Sequence, residues 1–265
     1  MKKFTENPIK NIKTDGGMTA IFRTIGFIGD SLSSGEHEGT DENGNKTYHD
    51  YYEYSWGQFI ARKCGLKGYN FSRGGLTAKT FNDYVGYNHV YTREKECQAY
   101  TIALGVNDLN PANDKHYSLG FGSISDVDFD NPDNNKDSLV GWYVRIIQYI
   151  RRLQPKARIF VITPPTESPE SADMKSRYDR LTDFLRTLPD YFEFLYVIDL
   201  RKYAPVYDEE FRNKYYLGGH LSAAGYKFTA DMISTYIDAI IENNPDDFRQ
   251  VAFIGKEFHN ATAKW

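Results

Sequence analysis

Phe27-Ile28-Gly29-Asp30-Ser31-Leu32-Ser33-Ser34-Gly35 is an apolar run that stops at small, polar, turn-forming residues. An apolar segment that ends abruptly at Gly-Asp-Ser reads as a buried strand delivering a serine to the edge of a sheet. In open α/β sheets, ligands bind in the crevice beyond the carboxyl ends of the strands. Ser31 is therefore a candidate nucleophile, with Gly29 and Gly35 permitting tight backbone on either side. The competing reading is structural: Asp-Ser as an ordinary helix cap after a βα turn. The rest of the chain has to decide between them.

Working outward, residues 21–28 read as the first strand, preceded by a polar lead-in over 1–18. Residues 33–53 are polar and glycine-bearing and read as a long loop beside the strand's exit, a kind of loop that tends to be functional. Residues 55–62 have helical spacing with Ser55 as cap; residues 66–71 form a short strand ending at Ser72-Arg73-Gly74-Gly75; residues 77–85 read as a helix capped by Thr77. A third strand, 99–104, runs into Gly105-Val106-Asn107-Asp108, and 110–137 reads as a second long loop. Helices over 138–153, 174–188 and 222–241 then alternate with strands over 157–162 and 194–198, and 246–265 read as an appended tail. Five apolar strands alternating with amphipathic helices indicate a parallel sheet covered on both faces. No composition break divides the chain, so residues 1–265 read as one domain.

Composition narrows the function classes. The 265 residues carry a formal net charge of -4, against the clustered Lys and Arg that a nucleic-acid surface needs. No apolar run approaches the roughly 20 residues of a membrane span. The N-terminus has two lysines but no apolar stretch behind them, so the expectation is a cytoplasmic protein, or one whose leader has been removed. Cys64 and Cys97 lack metal-site spacing and read as reduced and half-buried. The 21 Tyr and 17 Phe fill a core first of all, and any of them on loops would suit a cleft that stacks on sugar rings.

Four positions at or beyond strand exits carry chemistry: Ser31, Gly74-Gly75, Asn107-Asp108 and His220. Acyl transfer needs a nucleophile, an imidazole to take and return its proton, and donors that meet the developing oxyanion. Each residue has a plainer reading as a turn, a cap or a hydrogen-bonded loop histidine, but their joint placement favours the chemical one.

In these blocks the sequence resembles the SGNH (GDSL-type) hydrolases, from Ser31 to the helix after His220. Gly29-Asp30-Ser31-Leu32 matches the nucleophile block, and the family pattern across Asn70-Phe71-Ser72-Arg73-Gly74-Gly75-Leu76-Thr77 points to Gly75. Gly105-Val106-Asn107-Asp108 supplies the side-chain donor Asn107, and His220-Leu221-Ser222-Ala223-Ala224-Gly225-Tyr226 matches the histidine block. The resemblance implies a three-layer α/β/α, flavodoxin-like fold with a five-stranded parallel sheet. It also implies Ser31 as nucleophile, His220 as base, and an oxyanion hole from Ser31 N–H, Gly75 and Asn107, with no cofactor and no metal.

One position departs from the family pattern. Where D-x-x-H is usual, this chain has Leu217-Gly218-Gly219-His220. Three readings compete: a Ser-His dyad with Nδ1–H on a backbone carbonyl; an acid from another loop; or a slow or inactive site. Glu36 heads the substitute acids, followed by Asp199, Asp208, Glu209 and Glu210. The dyad ranks first and Glu36 second.

Asp126, Asp128, Asp130 and Asp137 resemble the start of a calcium loop, but Asn131 and Pro132 spoil it and a solvated loop is the preferred reading. The leading functional expectation is a serine esterase that removes short, acetyl-type groups from a carbohydrate or other small ester. A thioesterase or lysophospholipase on the same site is one alternative, and an inactive glycan-binding member is another. The sequence leaves the oligomeric state open.

Overall fold

The computed structural model describes residues 7–255 apart from 11, 13, 14 and 112–118. The end of the lead-in, Met18–Ile21, is a 3-10 turn, and the first strand starts later than its apolar pattern suggests, at β1 (Thr24–Gly29). A four-residue helix, α1 (Ser31–Ser34), follows. It is capped by Asp30, which accepts from Leu32 N–H, and is ended by Gly35 in the left-handed region at φ 81.

The next stretch corrects the expectation of a loop over 33–53. It contains an antiparallel ribbon, β2 (Glu36–Thr40) and β3 (Lys46–Asp50), paired from Glu36 opposite Asp50 to Thr40 opposite Lys46. The Asp41 carboxylate closes the turn by accepting from the N–H groups of Asn43 and Asn45, and Gly44 takes φ 81.

Then come α2 (Trp56–Cys64), capped by Ser55; β4 (Lys67–Ser72); and α3 (Ala78–Phe81), capped by Thr77 and running into a nine-residue π-helix over Asn82–Val90. They are followed by β5 (Ala99–Ala103), α4 (Leu139–Leu153), β6 (Arg158–Ile162), α5 (Ala172–Thr187) and β7 (Leu195–Ile198). The chain then runs through α6 (Leu200–Tyr203), α7 (Glu209–Tyr215), the two-residue strands β8 (Tyr216–Leu217) and β9 (His220–Leu221), α8 (Ala223–Asn243) and α9 (Pro245–Phe248).

The central sheet is wholly parallel in the order β4-β1-β5-β6-β7. Counting only these strands along the chain, that is 2-1-3-4-5, the flavodoxin-like order, whose switch point lies between the first and third strands. Helices cover both faces, as the period-2 pattern demands. Ile25 and Phe27 of β1 pack with Trp56 and Ile60 of α2 and with Tyr236 and Ile237 of α8. Ile28 points the other way, into a core with Tyr143 and Ile147 of α4 and Leu181 of α5. Each of these buried aliphatic or aromatic side chains contributes about 1.5–3 kcal/mol.

Two further expectations need correction. Residues 246–255 are packed rather than appended, because Phe248, Val251 and Ile254 are buried in the α2/α8 core and Gln98 donates to the Val251 carbonyl. Residues 256–265 of that tail, like 112–118 of the second long loop, lie outside the described residues. Cys64 and Cys97 are buried rather than half-buried, and neither is in a disulfide.

Candidate active site

The switch point puts the exits of β1, β4 and β5 side by side. Ser31 is the first residue of α1, where a backbone N–H has no partner within the helix. Gly75 lies past the end of β4 at φ 75, a conformation that suits glycine, and a side chain there would meet nothing within 4 Å. Asn107 lies past the end of β5. Its amide donates to the Leu76 carbonyl at 3.1 Å and, more weakly, to Asp30 Oδ2 at 3.4 Å. Asn107 thus touches the neighbour of Gly75 and the neighbour of Ser31.

Buried acids brace these exits. Asp108 accepts from Ala78 N–H through both oxygens, tying the β5 exit to the start of α3. Burial pushes the carboxyls of Asp30 and Asp108 up to about 7, and the charge of Asp30 adds to the shift on Asp108.

His220 arrives on the short β8–β9 turn and is tied to the ribbon. Its Nε2 lies 3.2 Å from Glu36 Oε1, and its Nδ1 lies 3.9 Å from Glu38 Oε2. The Tyr48 ring meets the imidazole edge-on at a centroid distance of 5.7 Å. The Tyr226 hydroxyl, from α8, donates to the Glu36 carbonyl at 2.7 Å and the Ser31 carbonyl at 3.3 Å, so one phenol braces both ribbon and nucleophile turn. Burial pushes the Glu36 carboxyl above its usual range, with His220 opposing the shift and Asp50 adding to it. Gly74 leaves room for Glu36, since a methyl there would stand 2.1 Å from Oε2.

Asn107 therefore links the neighbours of Ser31 and Gly75, and Tyr226 and Glu36 link the Ser31 turn to His220. Two expectations about His220 are changed. Among the described residues no backbone carbonyl is within hydrogen-bond reach of Nδ1, which is buried without a partner there. Glu36 does reach the imidazole, but at Nε2, the nitrogen that would serve Ser31. Asp199 instead pairs with Arg186, Asp208 caps α7, and Glu210 pairs with Lys214. The acids of the second long loop are spent locally: Asp126 on Ser123 N–H, Lys136 and Ser138, Asp128 on Asp130, Asn131 and Asn134, and Asp137 on Lys79 and Trp142. Glu38 and Tyr48 were missed in the sequence; their signal was Asn43-Gly44, a turn between two short polar segments.

Beside the nucleophile turn is a cavity of about 100 Å³, walled by Leu32, Trp56, Val106, Pro164, Tyr178 and Leu221 among others. It flanks Ser31 through Asp30 and Leu32, without Ser31 or His220 forming its wall. The Pro164-Pro165 wall is fixed from behind by Arg201, which donates to the Pro165 carbonyl and forms a two-pronged pair with Glu170. On the β2–β3 ribbon and the segment after it, Tyr48, Tyr51, Tyr52 and Tyr54 are each about half exposed, and Tyr48 is the one whose ring meets His220.

Residues 27–228 match the model of the GDSL-like lipase/acylhydrolase family. No curated protein matches the sequence. Among solved structures, the chain is similar to a family two carbohydrate esterase from Clostridium thermocellum in complex with cellohexaose, with 17% identity and TM-score 0.55. That likeness covers 85% of this chain and 65% of the other, so the chain spans just under two thirds of that protein. A carbohydrate acetylesterase from Sinorhizobium meliloti is 16% identical over 82% of this chain and 99% of its own, with TM-score 0.50. A protein from Lactobacillus plantarum is 14% identical over 84% and 97%, with TM-score 0.56. At these identities the likeness is one of fold.

Proposed function

The chain belongs to the GDSL-like lipase/acylhydrolase family, and from that premise we propose that it is a serine esterase removing short acyl groups, acetyl in kind, from a carbohydrate ester. The observation that supports the reading is that Asn107 bonds the neighbours of Ser31 and of Gly75, while Tyr226 links the Ser31 carbonyl to Glu36, which faces His220.

In this mechanism Ser31 Oγ attacks the acyl carbon while its proton passes to His220 Nε2. The carbonyl electrons move onto oxygen, which the N–H groups of Ser31 and Gly75 and the Asn107 amide receive. Collapse breaks the ester C–O bond, and the Nε2 proton goes to the departing alcohol. Water then repeats the sequence on the acyl-serine and restores the hydroxyl. Glu36 must leave Nε2 for the first step, and a substrate entering over Gly74 would displace it.

The small cavity beside Ser31 supports a short acyl group: a void of about 150 Å³ holds a benzene ring, so one of about 100 Å³ leaves little room for a chain. The exposed tyrosines support a sugar on the alcohol side, since aromatic faces cover apolar ring surfaces. Hydrolysis of p-nitrophenyl esters and of acetylated oligosaccharides tests the reading. Rates should fall as the acyl chain lengthens, and Ser31→Ala should lose about 10³-fold or more of kcat. Equal rates in wild type and Ser31→Ala would overturn it; rates rising with chain length would favour the lysophospholipase or thioesterase alternative.

A further inference from the structure

The imidazole of His220 stands between two carboxylates from a single strand. Glu36 and Glu38 are two residues apart on β2, so they leave the same face of the ribbon. One faces Nε2 at 3.2 Å and the other faces Nδ1 at 3.9 Å. The two nitrogens have different tasks in acyl transfer. Nε2 takes the serine's proton, while the group on Nδ1 fixes the tautomer and stabilises the imidazolium. A carboxylate at Nε2 competes with the serine; a carboxylate at Nδ1 assists it.

Glu38 is seated for the second task. Gly219 N–H donates to its Oε2 at 2.8 Å, and Lys46 Nζ lies 2.6 Å from Oε1. Those two contacts hold its carboxyl below the usual carboxylate range, so it is ionised at neutral pH. The residues that replace the usual acid block make the space: Gly218 has φ 67, and a methyl on it would stand 2.5 Å from the Glu38 carboxyl carbon. Among the described residues Nδ1 itself is buried with no hydrogen-bond partner, an arrangement that is costly unless an acceptor closes in. Glu38 Oε2 is about 1 Å beyond normal reach, and such contacts are often long before substrate binds.

We infer that Glu38, brought by the β2–β3 ribbon, is the positioning residue for His220 and stands in for the acid absent at Leu217. The inference rests on the esterase reading above. As Ser31 Oγ bonds to the acyl carbon and its proton moves to Nε2, Nδ1–H donates to Glu38, which remains a carboxylate throughout. When the proton leaves Nε2 for the departing alcohol, the imidazole is neutral again and still held.

The test is kcat and KM for p-nitrophenyl acetate from about pH 5 to 9, in the full chain, for wild type, Ser31→Ala, Glu36→Gln, Glu38→Gln and Glu38→Asp. Glutamine keeps an oxygen for Gly219 N–H, so the ribbon stays seated. Glu38→Gln should lower kcat by about 10²- to 10⁴-fold with KM changed far less. The groups facing His220 are Glu36, Glu38 and the Tyr48 ring, with Lys46 and Asp50 behind the glutamates. Removing the Glu38 charge should change the pH profile of kcat/KM, a readout that a merely structural role would not move. Glu36→Gln should change the pH profile of kcat/KM too. Glu38→Asp keeps the charge and should retain more kcat than Glu38→Gln. Wild-type kcat in Glu38→Gln alongside a dead Ser31→Ala would overturn this inference and leave the esterase standing. A fully active Ser31→Ala would overturn the esterase reading itself.

Discussion

The site has two halves held together in different ways. The half that bears Ser31, Gly75 and Asn107 sits on the exits of three adjacent parallel strands, and its spacing is set by backbone ladders and a packed core. The half that bears His220 hangs from a two-stranded ribbon and a two-residue β8–β9 pair. There the geometry depends on a few polar contacts: Glu38 with Gly219 and Lys46, Glu36 with His220, and Tyr226 with the carbonyls of Ser31 and Glu36. Topology places Ser31, Gly75 and Asn107, whereas side-chain chemistry places His220. Damage to the first half should abolish transition-state binding outright, and damage to the second should misdirect a proton.

The sharpest blow to the strand-exit half is Asn107→Ala, which removes the amide that the proposed mechanism assigns to the oxyanion. On the proposed mechanism it should cost about 10²- to 10³-fold in kcat, read with p-nitrophenyl acetate; a loss under about threefold would move the donor role elsewhere.

On the ribbon half, the comparison can be tested by repair. Leu217 is paired directly opposite His220 in the β8–β9 ladder, so their side chains share a face with Cβ atoms about 5 Å apart. Adding Leu217→Asp to Glu38→Gln should recover about tenfold of the lost kcat. No recovery would mean that the ribbon acts on His220 by something other than its charge.

The smallest effect separates the acids of the two halves. Asp30 braces the scaffold, and burial raises its carboxyl from 3.8 to about 7. The folded state therefore keeps a proton that the unfolded chain releases as pH rises from about 4. The stability this group contributes is full below that value and is lost as pH climbs through 7. Asp30→Asn keeps the helix cap without the buried charge. It should raise Tm at pH 8 by about 2–4 °C for each kcal/mol relieved and leave Tm at pH 4 nearly unchanged, as thermal melts at the two pH values would show.

These halves also differ in how well the sequence reveals them. The five sheet strands could be read because runs such as Ile25, Phe27 and Ile28 are apolar and give way to Gly, Ser, Thr-Pro or Asp, and Ser31, Asn107 and Gly75 follow closely on three of those ends. The ribbon was hidden because β2 and β3 have no apolar face: Glu36, His37 and Glu38 pair with Asp50, His49 and Tyr48, so hydrophobic periodicity is silent. The burial of 246–255 escaped for a related reason, since Phe248, Val251 and Ile254 fall at irregular spacing in a short segment. The Asn43-Gly44 turn hints at the ribbon, but nothing local ties Glu38 to His220, because the two are far apart along the chain.

That distance has a consequence for how the protein is made. The Glu38 carboxylate and the Gly219 amide that seats it are 181 residues apart, so a chain growing from its N-terminus exposes the serine turn and the ribbon long before the histidine segment exists. The reactive hydroxyl emerges early, unaccompanied by any base able to use it. On the esterase reading, a truncated or half-synthesised copy holds the serine without its base, and only a chain whose far end has come home can cleave an ester.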